Sequence, residues 1–304
     1  MSPAPHSRSG SARAVLALLV NAFVWGVSWW PFRHLQAAGL HPLWATAGIY
    51  VLSAAAIALW RPGALRQVRT QPALWLIALA SGATNATFNW AVSIGDVVRV
   101  VLLFYLMPLW SLLLARVILK EALTPPAILR VAMALAGAAL VLSHGHAASA
   151  APGAADGAGL LPDVLAILGG FAFALNNVML KRAAAQPGEG RALAMFVGGA
   201  VVAGLTACAL SATADAGVRW PLASAHWVLP ALGLALAFLG ANLCLQYGAA
   251  RLSATVTAVV MPCEVLFAAL TAVWWGGATL HVTVLAGGAM ILLAALASVL
   301  RRRA

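Results

Sequence analysis

The sequence is poor in charge, and poorest in acidic residues. Asp, Glu, Lys and Arg make up only 8% of its 304 residues, whereas about 25% of an ordinary soluble domain is charged. Hydrophobic residues make up 63% of the chain, more than the roughly 45–50% of a water-soluble fold. This balance excludes a soluble globular protein and indicates a chain whose outer surface faces lipid.

Cysteines and the sequence motifs of catalysis are also scarce. The three cysteines, Cys208, Cys244 and Cys263, lie inside apolar runs without metal-ligand spacing, which favours small buried residues over a disulfide framework or a metal site. The chain has no Gly-rich phosphate loop, no His-Glu-x-x-His and no Gly-x-Ser-x-Gly turn. We therefore expect no cofactor, no metal and no enzymatic activity.

What the sequence does contain is ten apolar runs, each about long enough for a bilayer-spanning helix, which needs roughly 20 residues. They cover residues 14–32, 42–60, 73–92, 97–118, 126–143, 162–180, 192–212, 227–247, 253–275 and 282–300. The longest connection, residues 144–161, is rich in Ala, Gly, Ser and Pro and predicts a flexible external linker. We expect an all-α integral membrane protein with ten transmembrane helices and cytoplasmic tails at residues 1–13 and 301–304.

The basic residues orient these spans, because cytoplasmic loops carry the excess of Lys and Arg. With both termini inside, 15 of the 18 basic residues lie on the cytoplasmic side and only Arg33, Arg99 and Arg219 lie outside. An odd number of spans would invert every later loop and remove this bias. The basic residues are also scattered singly, without a stripe of interleaved aromatics, which excludes a nucleic-acid partner in spite of the net charge of +11.

The two halves of the chain resemble each other. Met107–Pro108 in the fourth run and Met261–Pro262 in the ninth lie 154 residues apart. Each half, residues 14–143 and residues 162–300, holds five spans, and because five is odd the second half enters the membrane from the opposite side. We expect two inverted five-helix repeats, an arrangement that gives transporters two states of similar energy, each open to one side.

Pro108 and Pro262 lie well inside predicted spans, where each removes a backbone donor and kinks or breaks its helix. In transporters, such breaks at matching positions of two halves indicate a cavity near the middle of the membrane. The alternative for either proline alone is a packing kink. The symmetric pair favours the functional interpretation.

Glu264 is the one acid that falls clearly within a predicted span. An ionised carboxylate at the centre of a bilayer costs at least about 2.5 kcal/mol, so Glu264 must face a cavity, be paired or be protonated. It is therefore a candidate for proton coupling or for attracting a substrate ammonium group. The alternative is a neutral carboxylic acid that is hydrogen-bonded to a carbonyl freed by Pro262.

Asp96 and Arg99 are spaced three residues apart at the outer start of the fourth span. This spacing places them on one face of a helix, where pairing would cancel both charges. We expect a local structural or gating role for them and not substrate chemistry.

Uncharged polar and aromatic residues at membrane depth complete the candidate substrate site. Amides in lipid must find partners, so part of this set will bridge helices, and deep aromatic rings either pack between helices or form a wall for a planar or cationic substrate. Asn85 with Asn89, and Asn242 with Gln246, share a helix face in corresponding spans of the two halves. The candidate substrate-binding residues are Trp25, Ser28, Tyr50, Asn85, Asn89, Tyr105, Asn176, Asn177, Asn242, Gln246 and Glu264.

Three short motifs carry a resemblance to a known family. Trp25–Gly26, Phe104–Tyr105–Leu106–Met107–Pro108, and Leu119–Lys120–Glu121 followed by Leu123–Thr124 are similar to the signature of the drug/metabolite transporter superfamily, in its EamA-like ten-helix branch. Residues 49–53, Ile-Tyr-Val-Leu-Ser, resemble the aromatic amino-acid exporters of that superfamily. The resemblance implies an exporter of amino acids or related metabolites, with a substrate cavity walled by helices from both halves.

Together these features predict a secondary transporter that exports amino acids, aromatic and apolar ones included, across the bacterial inner membrane by alternating access. The missing phosphate loop means that a gradient supplies the energy, and whether protons form that gradient is open at this point. The expected partners are a small-molecule substrate and the lipid bilayer, with no required protein partner. The alternatives are export of cationic drugs or other small metabolites and, less favoured, an intramembrane enzyme or a passive channel.

Overall fold

The computed structural model describes residues 8–118, 120, 124–149, 159–183, 188–213, 218–222, 224–249, 251, 260 and 263–300. Thirteen α-helices and no strands occupy these residues. The helices are α1 (Arg8–Val27), α2 (Trp29–Ala37), α3 (Pro42–Trp60), α4 (Pro62–Thr70), α5 (Pro72–Ile94), α6 (Val97–Phe104), α7 (Met107–Ile118), α8 (Pro125–Ser149), α9 (Leu161–Arg182), α10 (Gly188–Ser211), α11 (Ala225–Ala249), α12 (Cys263–Gly276) and α13 (Val282–Leu300).

Six helical segments are long and apolar enough to cross a membrane by length and composition. They are Ala12–Ala37, Pro42–Trp60, Val97–Ile118, Leu161–Leu180, Gly188–Ser211 and His226–Leu245. Shorter apolar stretches lie at Ile128–Val141, Cys263–Gly276 and Val282–Ala294. The predicted all-α membrane fold is confirmed at this level for the described part of the chain, while the number of ten spans, the inverted repeats and the cytoplasmic termini stay predictions.

Helix α5 carries several Ser, Thr and Asn residues and is not among the six segments above. It nevertheless lies at the centre of the bundle. It contacts α3, α9, α10, α2 and α6. Fourteen of its 23 residues are buried, and Ser81, Thr84, Asn85, Asn89 and Ser93 are among them. Polar side chains are costly in contact with lipid, so a helix of this composition is stable in a membrane only when other helices surround it.

Two of the predicted spans are interrupted in the structure. The first turns locally at Ser28, whose hydroxyl donates to the Trp25 carbonyl oxygen at 2.7 Å, and continues as α2. The fourth is broken between Phe104, where α6 ends, and Met107, where α7 begins. Pro108 therefore lies in the first turn of α7, where a missing N–H costs no intrahelical hydrogen bond.

Helix α4 was not expected from the sequence, which predicts a plain connection between the second and third spans. Pro62 starts the helix, and Ala64 and Val68, four residues apart, bury one face of it. Arg66 and Arg69 are exposed on the other side. This amphipathic helix of nine residues is too short and too polar to span a membrane.

Contacts between the first unit (α1–α8) and the second unit (α9–α13) come in matched pairs. The contact of α5 with α9 corresponds to that of α11 with α1, and the contact of α5 with α10 corresponds to that of α11 with α3. The contact of α7 with α9 corresponds to that of α12 with α1. Helix α3 contacts its counterpart α10 and α8 contacts its counterpart α13, while α6, the first half of the interrupted fourth span, contacts α12. This is the contact pattern that two repeats related by a two-fold axis would make.

Helices α8 and α13 cross at a pair of glycines. A Cβ atom added to Gly137 would lie 2.5 Å from the Gly287 carbonyl oxygen, and one added to Gly287 would lie 2.5 Å from the Gly137 carbonyl oxygen. Small residues at a crossing point let two helix backbones approach closely in a membrane. The two units therefore meet directly through their backbones at this crossing.

Candidate functional site

Four aromatic rings from both units form one group near the middle of the bundle, here called the aromatic cluster: Trp25, Tyr50, Phe196 and Phe238. The Trp25 ring stacks on Phe238 with centroids 4.5 Å apart and an interplanar angle of 17°. The Tyr50 ring lies 5.4 Å from that of Phe196 and 6.2 Å from that of Phe238. Trp25 and Tyr50 come from the first unit and the two phenylalanines from the second, so the cluster exists only when the units are packed together.

The polar edge of the aromatic cluster is the hydroxyl of Tyr50. It donates to Asn85 Oδ1 at 2.5 Å, and Asn85 Nδ2 in turn donates to the Ser81 carbonyl oxygen at 2.8 Å. All three residues are buried. This chain of hydrogen bonds fixes the positions of the Tyr50 ring and of the Asn85 amide beside the aromatic cluster.

Asn89 and Asn176 are less completely hydrogen-bonded. Asn89 Nδ2 donates to Thr46 Oγ1 at 3.1 Å, but Asn89 Oδ1 and Asn176 Oδ1 are buried without a hydrogen-bond partner among the described residues. A buried amide oxygen that accepts no hydrogen bond costs roughly 1–3 kcal/mol. Both oxygens therefore keep an unused acceptor position in this arrangement of the bundle.

A second contact between the units joins Tyr105 to Glu264. Tyr105 lies in the turn between α6 and α7, Glu264 lies in the first turn of α12, and the Tyr105 hydroxyl is 3.5 Å from Glu264 Oε2. Tyr105 is buried and Glu264 is half-buried. At this distance the hydrogen bond is weak, so the carboxylate keeps capacity for a stronger donor.

Helix α1 packs closely against α12, the helix that carries Glu264. A Cβ atom on Gly26 would lie 2.6 Å from the Glu264 carbonyl oxygen and 2.8 Å from Phe267 Cβ, so α1 and α12 approach closely at this point. Trp25 precedes Gly26 in the chain. Trp25, whose ring stacks on Phe238 of α11, therefore lies one residue from the point where α1 meets α12.

The remaining candidate residues have other surroundings. The Ser28 hydroxyl is engaged by the local turn, Asn177 is exposed on the outer surface of α9, and Asn242 is half-buried on α11. Three predictions concern parts that lie outside the described residues or side chains: the Gln246 side chain, the Pro108 ring and Pro262. Of the predicted set, the structure groups Trp25, Tyr50 and Asn85 around Phe238, and it pairs Tyr105 with Glu264 separately.

Arg99 makes a different partnership from the one that the sequence suggested. Its side chain binds Asp163 through two hydrogen bonds, Nε to Oδ1 at 2.8 Å and Nη2 to Oδ2 at 2.7 Å, and its Nη1 donates to the Val141 carbonyl oxygen at 2.9 Å. Asp96 instead caps α6, because its Oδ1 accepts from the Arg99 backbone N–H at 2.8 Å. The expected Asp96–Arg99 side-chain pair is replaced by an ion pair that joins the two units, since a bidentate carboxylate satisfies the guanidinium better.

His41 holds the beginning of α3, outside the membrane-spanning segments. Its Nδ1 accepts from the Leu43 backbone N–H at 3.2 Å, and its ring meets that of Trp90 edge-on at 5.3 Å. Burial lowers the pKa of His41 to about 4, because a partly buried site disfavours the charged imidazolium. The imidazole is therefore neutral near pH 7, as its acceptor role requires.

Sequence reasoning missed three residues of this interface: Phe196, Phe238 and Asp163. The phenylalanines give no signal, because an apolar residue in an apolar run is equally suited to lipid, to packing or to a binding site. Asp163 does give one, as an acid in the first turn of a span. Its buried position and its partner Arg99 come from another part of the chain and are visible only in the fold.

Among the described residues, no group of three or more His, Cys, Asp or Glu side chains has the arrangement of a metal site. The carboxylates within the bundle are accounted for by single partners, Asp163 with Arg99 and Glu264 with Tyr105. The expectation that the protein uses neither a metal nor a cofactor stays a prediction.

Comparison with known proteins identifies the first unit. Residues 12–143 match the model of the EamA-like transporter family, which supports the assignment of this part of the chain to the drug/metabolite transporter superfamily. No curated protein sequence matches the chain. A solved structure described only as the crystal structure of a protein is similar over 96% of this chain and 98% of its own, with a TM-score of 0.57 and 20% sequence identity. That similarity shows the fold.

Proposed function

We propose that the protein is a secondary transporter that exports amino acids, aromatic and apolar ones included, across a bacterial inner membrane by alternating access, with both termini in the cytoplasm. The similarity of residues 12–143 to EamA-like transporters supports transport of a small solute over catalysis. The apolar helices of the described chain support a multi-pass membrane protein. The excess of basic residues in alternate loops supports the orientation.

The observation that carries this proposal is that both groups of candidate residues are shared between the two units. Trp25 stacks on Phe238, and Tyr105 meets Glu264. When two units move relative to each other, contacts between the units form and break, whereas contacts within one unit stay the same. A substrate held at the shared contacts is therefore exposed alternately to the two sides.

The matched contacts between the units support the same mechanism. The contacts of α5 with α9 and α10, and of α7 with α9, correspond to contacts of α11 and α12 with α1 and α3. Inverted repeats packed in this way allow the bundle to exchange the arrangement of one unit for that of the other, which produces two states of similar energy. A passive channel needs no such correspondence.

The chemistry of the site favours an amino acid with an apolar or aromatic side chain. Glu264 offers a carboxylate to an ammonium group, the buried amide oxygens of Asn89 and Asn176 offer further acceptors, and the face of Trp25 offers an apolar surface. Aromatic faces also attract cations. A cationic aromatic drug uses the same groups, and is the second candidate that this carboxylate favours.

Counterflow in proteoliposomes tests the proposed function. Vesicles loaded with unlabelled leucine or phenylalanine should accumulate the labelled amino acid, whereas vesicles loaded with an aromatic cation that lacks a carboxylate should not. Exchange of aromatic cations without exchange of amino acids would replace the first candidate with the second. Absence of exchange for both classes would contradict transport of either substrate.

Glu264→Gln tests the role of the carboxylate in this site. Loss of a charged hydrogen-bond acceptor for the ammonium group should lower the rate of counterflow about tenfold or more, while the melting temperature changes little because the amide can still accept from Tyr105. Glu189→Gln is the matched control, since Glu189 is an exposed acid in the first turn of α10. Equal rates for the two variants would remove Glu264 from the substrate site. If protons drive transport, Glu264→Gln should also abolish its dependence on pH.

A further inference from the structure

A cavity lies at one end of the bundle, apart from the aromatic cluster. Its volume is about 260 Å³, and Trp29, Arg33, Asp96, Val97 and Ala272 are among the residues that line it. These residues belong to α2, to the start of α6 and to the last turns of α12. The predicted orientation places this end on the external side, where Arg33 is one of three basic residues. The cavity is smaller than the roughly 300–1,000 Å³ of sites for drug-sized ligands, which suits a metabolite with few heavy atoms.

Charges of both signs line the cavity without a direct ion pair, although Asp96 attracts the Arg33 guanidinium at longer range. Arg33 donates from Nε to the Val92 carbonyl oxygen at 3.2 Å and from Nη2 to the Gly95 carbonyl oxygen, so its position is fixed by backbone acceptors. Asp96 is held by its hydrogen bond to the Arg99 backbone N–H. No ion pair within 4.0 Å joins Arg33 to Asp96, both of which the structure describes. The two charges are thus fixed separately on one cavity wall.

The rest of the wall is apolar and rigid. Trp29 is buried, its Nε1 donates to Thr271 Oγ1 at 3.0 Å, and the Arg33 guanidinium lies over its ring at 5.1 Å from the centroid. Val97 and Ala272, both buried, line the same space. A ligand that fits must therefore carry a positive and a negative group close together and a small apolar part.

We propose that this cavity is an external binding site for the zwitterionic form of an amino acid, in which Arg33 binds the carboxylate and Asp96 binds the ammonium group. Trp29, Val97 and Ala272 contact the side chain. Carboxylates bind arginine strongly because charge-assisted hydrogen bonds supplement the Coulomb attraction. A free α-amino acid carries its ammonium and carboxylate groups on the same carbon atom, which matches two protein charges that face one small space.

The position of the cavity gives it a place in the transport path, and in this respect the inference rests on the proposed function. Val97 is eight residues from Tyr105, and Ala272 is eight residues from Glu264, so along both helices the cavity lies about 12 Å from the Tyr105–Glu264 contact. The buried residues Val101 and Ala268 fill the space between along these helices. An exported amino acid would occupy this external site after it leaves the shared contacts and before it enters the medium.

Ligand discrimination in Arg33 and Asp96 variants tests the site. Binding of labelled leucine is measured for the full-length protein in lipid nanodiscs, with leucine amide and N-acetyl-leucine as competitors that lack the carboxylate or the ammonium group. We expect two leucines per protein, and about one for Arg33→Gln and for Asp96→Asn, whose external-site affinity should fall about tenfold or more. Asparagine is a good helix cap, so Asp96→Asn keeps the start of α6.

Two further variants separate binding from folding. In the Glu264→Gln protein the external site is measured alone, and there Arg33→Gln should abolish the preference for leucine over leucine amide while Arg33→Lys retains part of it. A purely structural role of Arg33 would lower all affinities equally. Arg219→Gln is the matched control, because Arg219 is exposed, lies on the same predicted side and does not line the cavity.

The outcomes distinguish this inference from the proposed function. Counterflow of leucine together with binding that Arg33→Gln and Asp96→Asn leave within about twofold of wild type would overturn the external site alone. Binding that depends on Arg33 and Asp96 without any counterflow would overturn transport and leave the site. Loss of discrimination in the Arg219→Gln control would also overturn the assignment, because it would show a general effect of external charge.

Discussion

Two polar contacts join the first unit to the second, and they differ in how completely their polar atoms are hydrogen-bonded. The Arg99–Asp163 ion pair has two short hydrogen bonds and a third from Arg99 to the Val141 carbonyl oxygen. The Tyr105–Glu264 contact has one long one at 3.5 Å. The ion pair therefore leaves neither side chain available to a ligand. The Glu264 carboxylate, in contrast, can still accept a strong hydrogen bond.

This difference separates a contact that holds the units together from one that is available to a solute. A buried ion pair costs desolvation that only good geometry offsets, and Arg99 with Asp163 has that geometry. Its place at the start of α6 and α9 ties the units at the predicted external end. In the proposed mechanism Glu264, by contrast, gains more from the ammonium group of a substrate than from the Tyr105 hydroxyl. Stability and transport should therefore respond to different residues.

The largest effect on stability should come from breaking the ion pair. The Arg99 and Asp163 side chains are only 16% and 10% exposed, so Asp163→Asn leaves a nearly buried guanidinium without its carboxylate. We expect a loss of about 3 kcal/mol or more in the free energy of unfolding, and a melting temperature in nanodiscs lower by about 6 °C or more. Thermal unfolding of the purified protein measures this shift.

Two variants make this result specific. The double replacement Arg99→Met with Asp163→Leu removes both charges together and should recover most of the lost stability. Glu189→Gln removes one partner of the exposed Arg61–Glu189 pair at 4.0 Å and should leave the melting temperature unchanged. If Asp163→Asn is as stable as wild type, the ion pair is not what ties the units at this end, and the contrast with Glu264 is lost.

A smaller effect is expected at the aromatic cluster, where a neutral hydrogen bond replaces an ion pair. Tyr50→Phe removes the hydroxyl that donates to Asn85 and leaves Asn85 Oδ1 buried with no donor from Tyr50. The free energy of unfolding should fall by about 1–3 kcal/mol. Tyr247→Phe is the control, because Tyr247 is exposed on α11. Chemical or thermal unfolding of both variants would show whether neutral contacts in the centre matter less than the ionic one.

The smallest effect concerns His41, a neutral contact at the same predicted end as the ion pair. Folding keeps this imidazole neutral, with its pKa lowered from 6.5 to about 4, while the unfolded chain takes up a proton as soon as the pH falls below 6.5. The contribution of His41 is therefore present near pH 7 and is lost as the pH falls from about 6.5 toward 4.

Unfolding at pH 7 and at pH 5 measures this contribution. We expect His41→Asn, which can still cap α3, to reduce the acid-induced drop in melting temperature by about 2 °C or less. His226→Asn, at an exposed histidine in the first turn of α11, should leave the drop as it is in wild type. A His41→Asn protein with unchanged acid sensitivity would show that the histidine is not held neutral by the fold.

Several features of the fold could be predicted because they depend on short stretches of chain. Runs of about 20 apolar residues form helices wherever lipid surrounds them, and most of the predicted limits lie within a few residues of the helices observed. The amphipathic helix α4 was missed, because nine residues with mixed polarity resemble an ordinary connection. The local turn at Ser28 was missed as well, since a serine in an apolar run gives no sign that α1 ends there and α2 begins.

The site was predictable in its residue types and unpredictable in its pairings. Trp25, Tyr50, Asn85, Tyr105 and Glu264 attract attention in the sequence because polar and amphipathic groups are costly in lipid. Asn177 looks the same in sequence as Asn176, yet one is exposed and the other buried. Consecutive residues of an α-helix point in directions that differ by about 100°. The sequence does not say which of these directions faces the other unit.

The amino-acid sequence by itself was enough to predict a protein that faces lipid, an all-helical fold and polar groups within the spans. These features follow from local hydrophobicity and from the thickness of a bilayer. Only the tertiary structure decided that the Arg99 side chain binds Asp163 and not Asp96. It also decided that the rings of Phe196 and Phe238 pack against those of Trp25 and Tyr50, and that Arg33 and Asp96 face one cavity. These choices depend on how helices that are more than sixty residues apart in the chain pack together, because shape and geometry select among partners that are chemically equivalent.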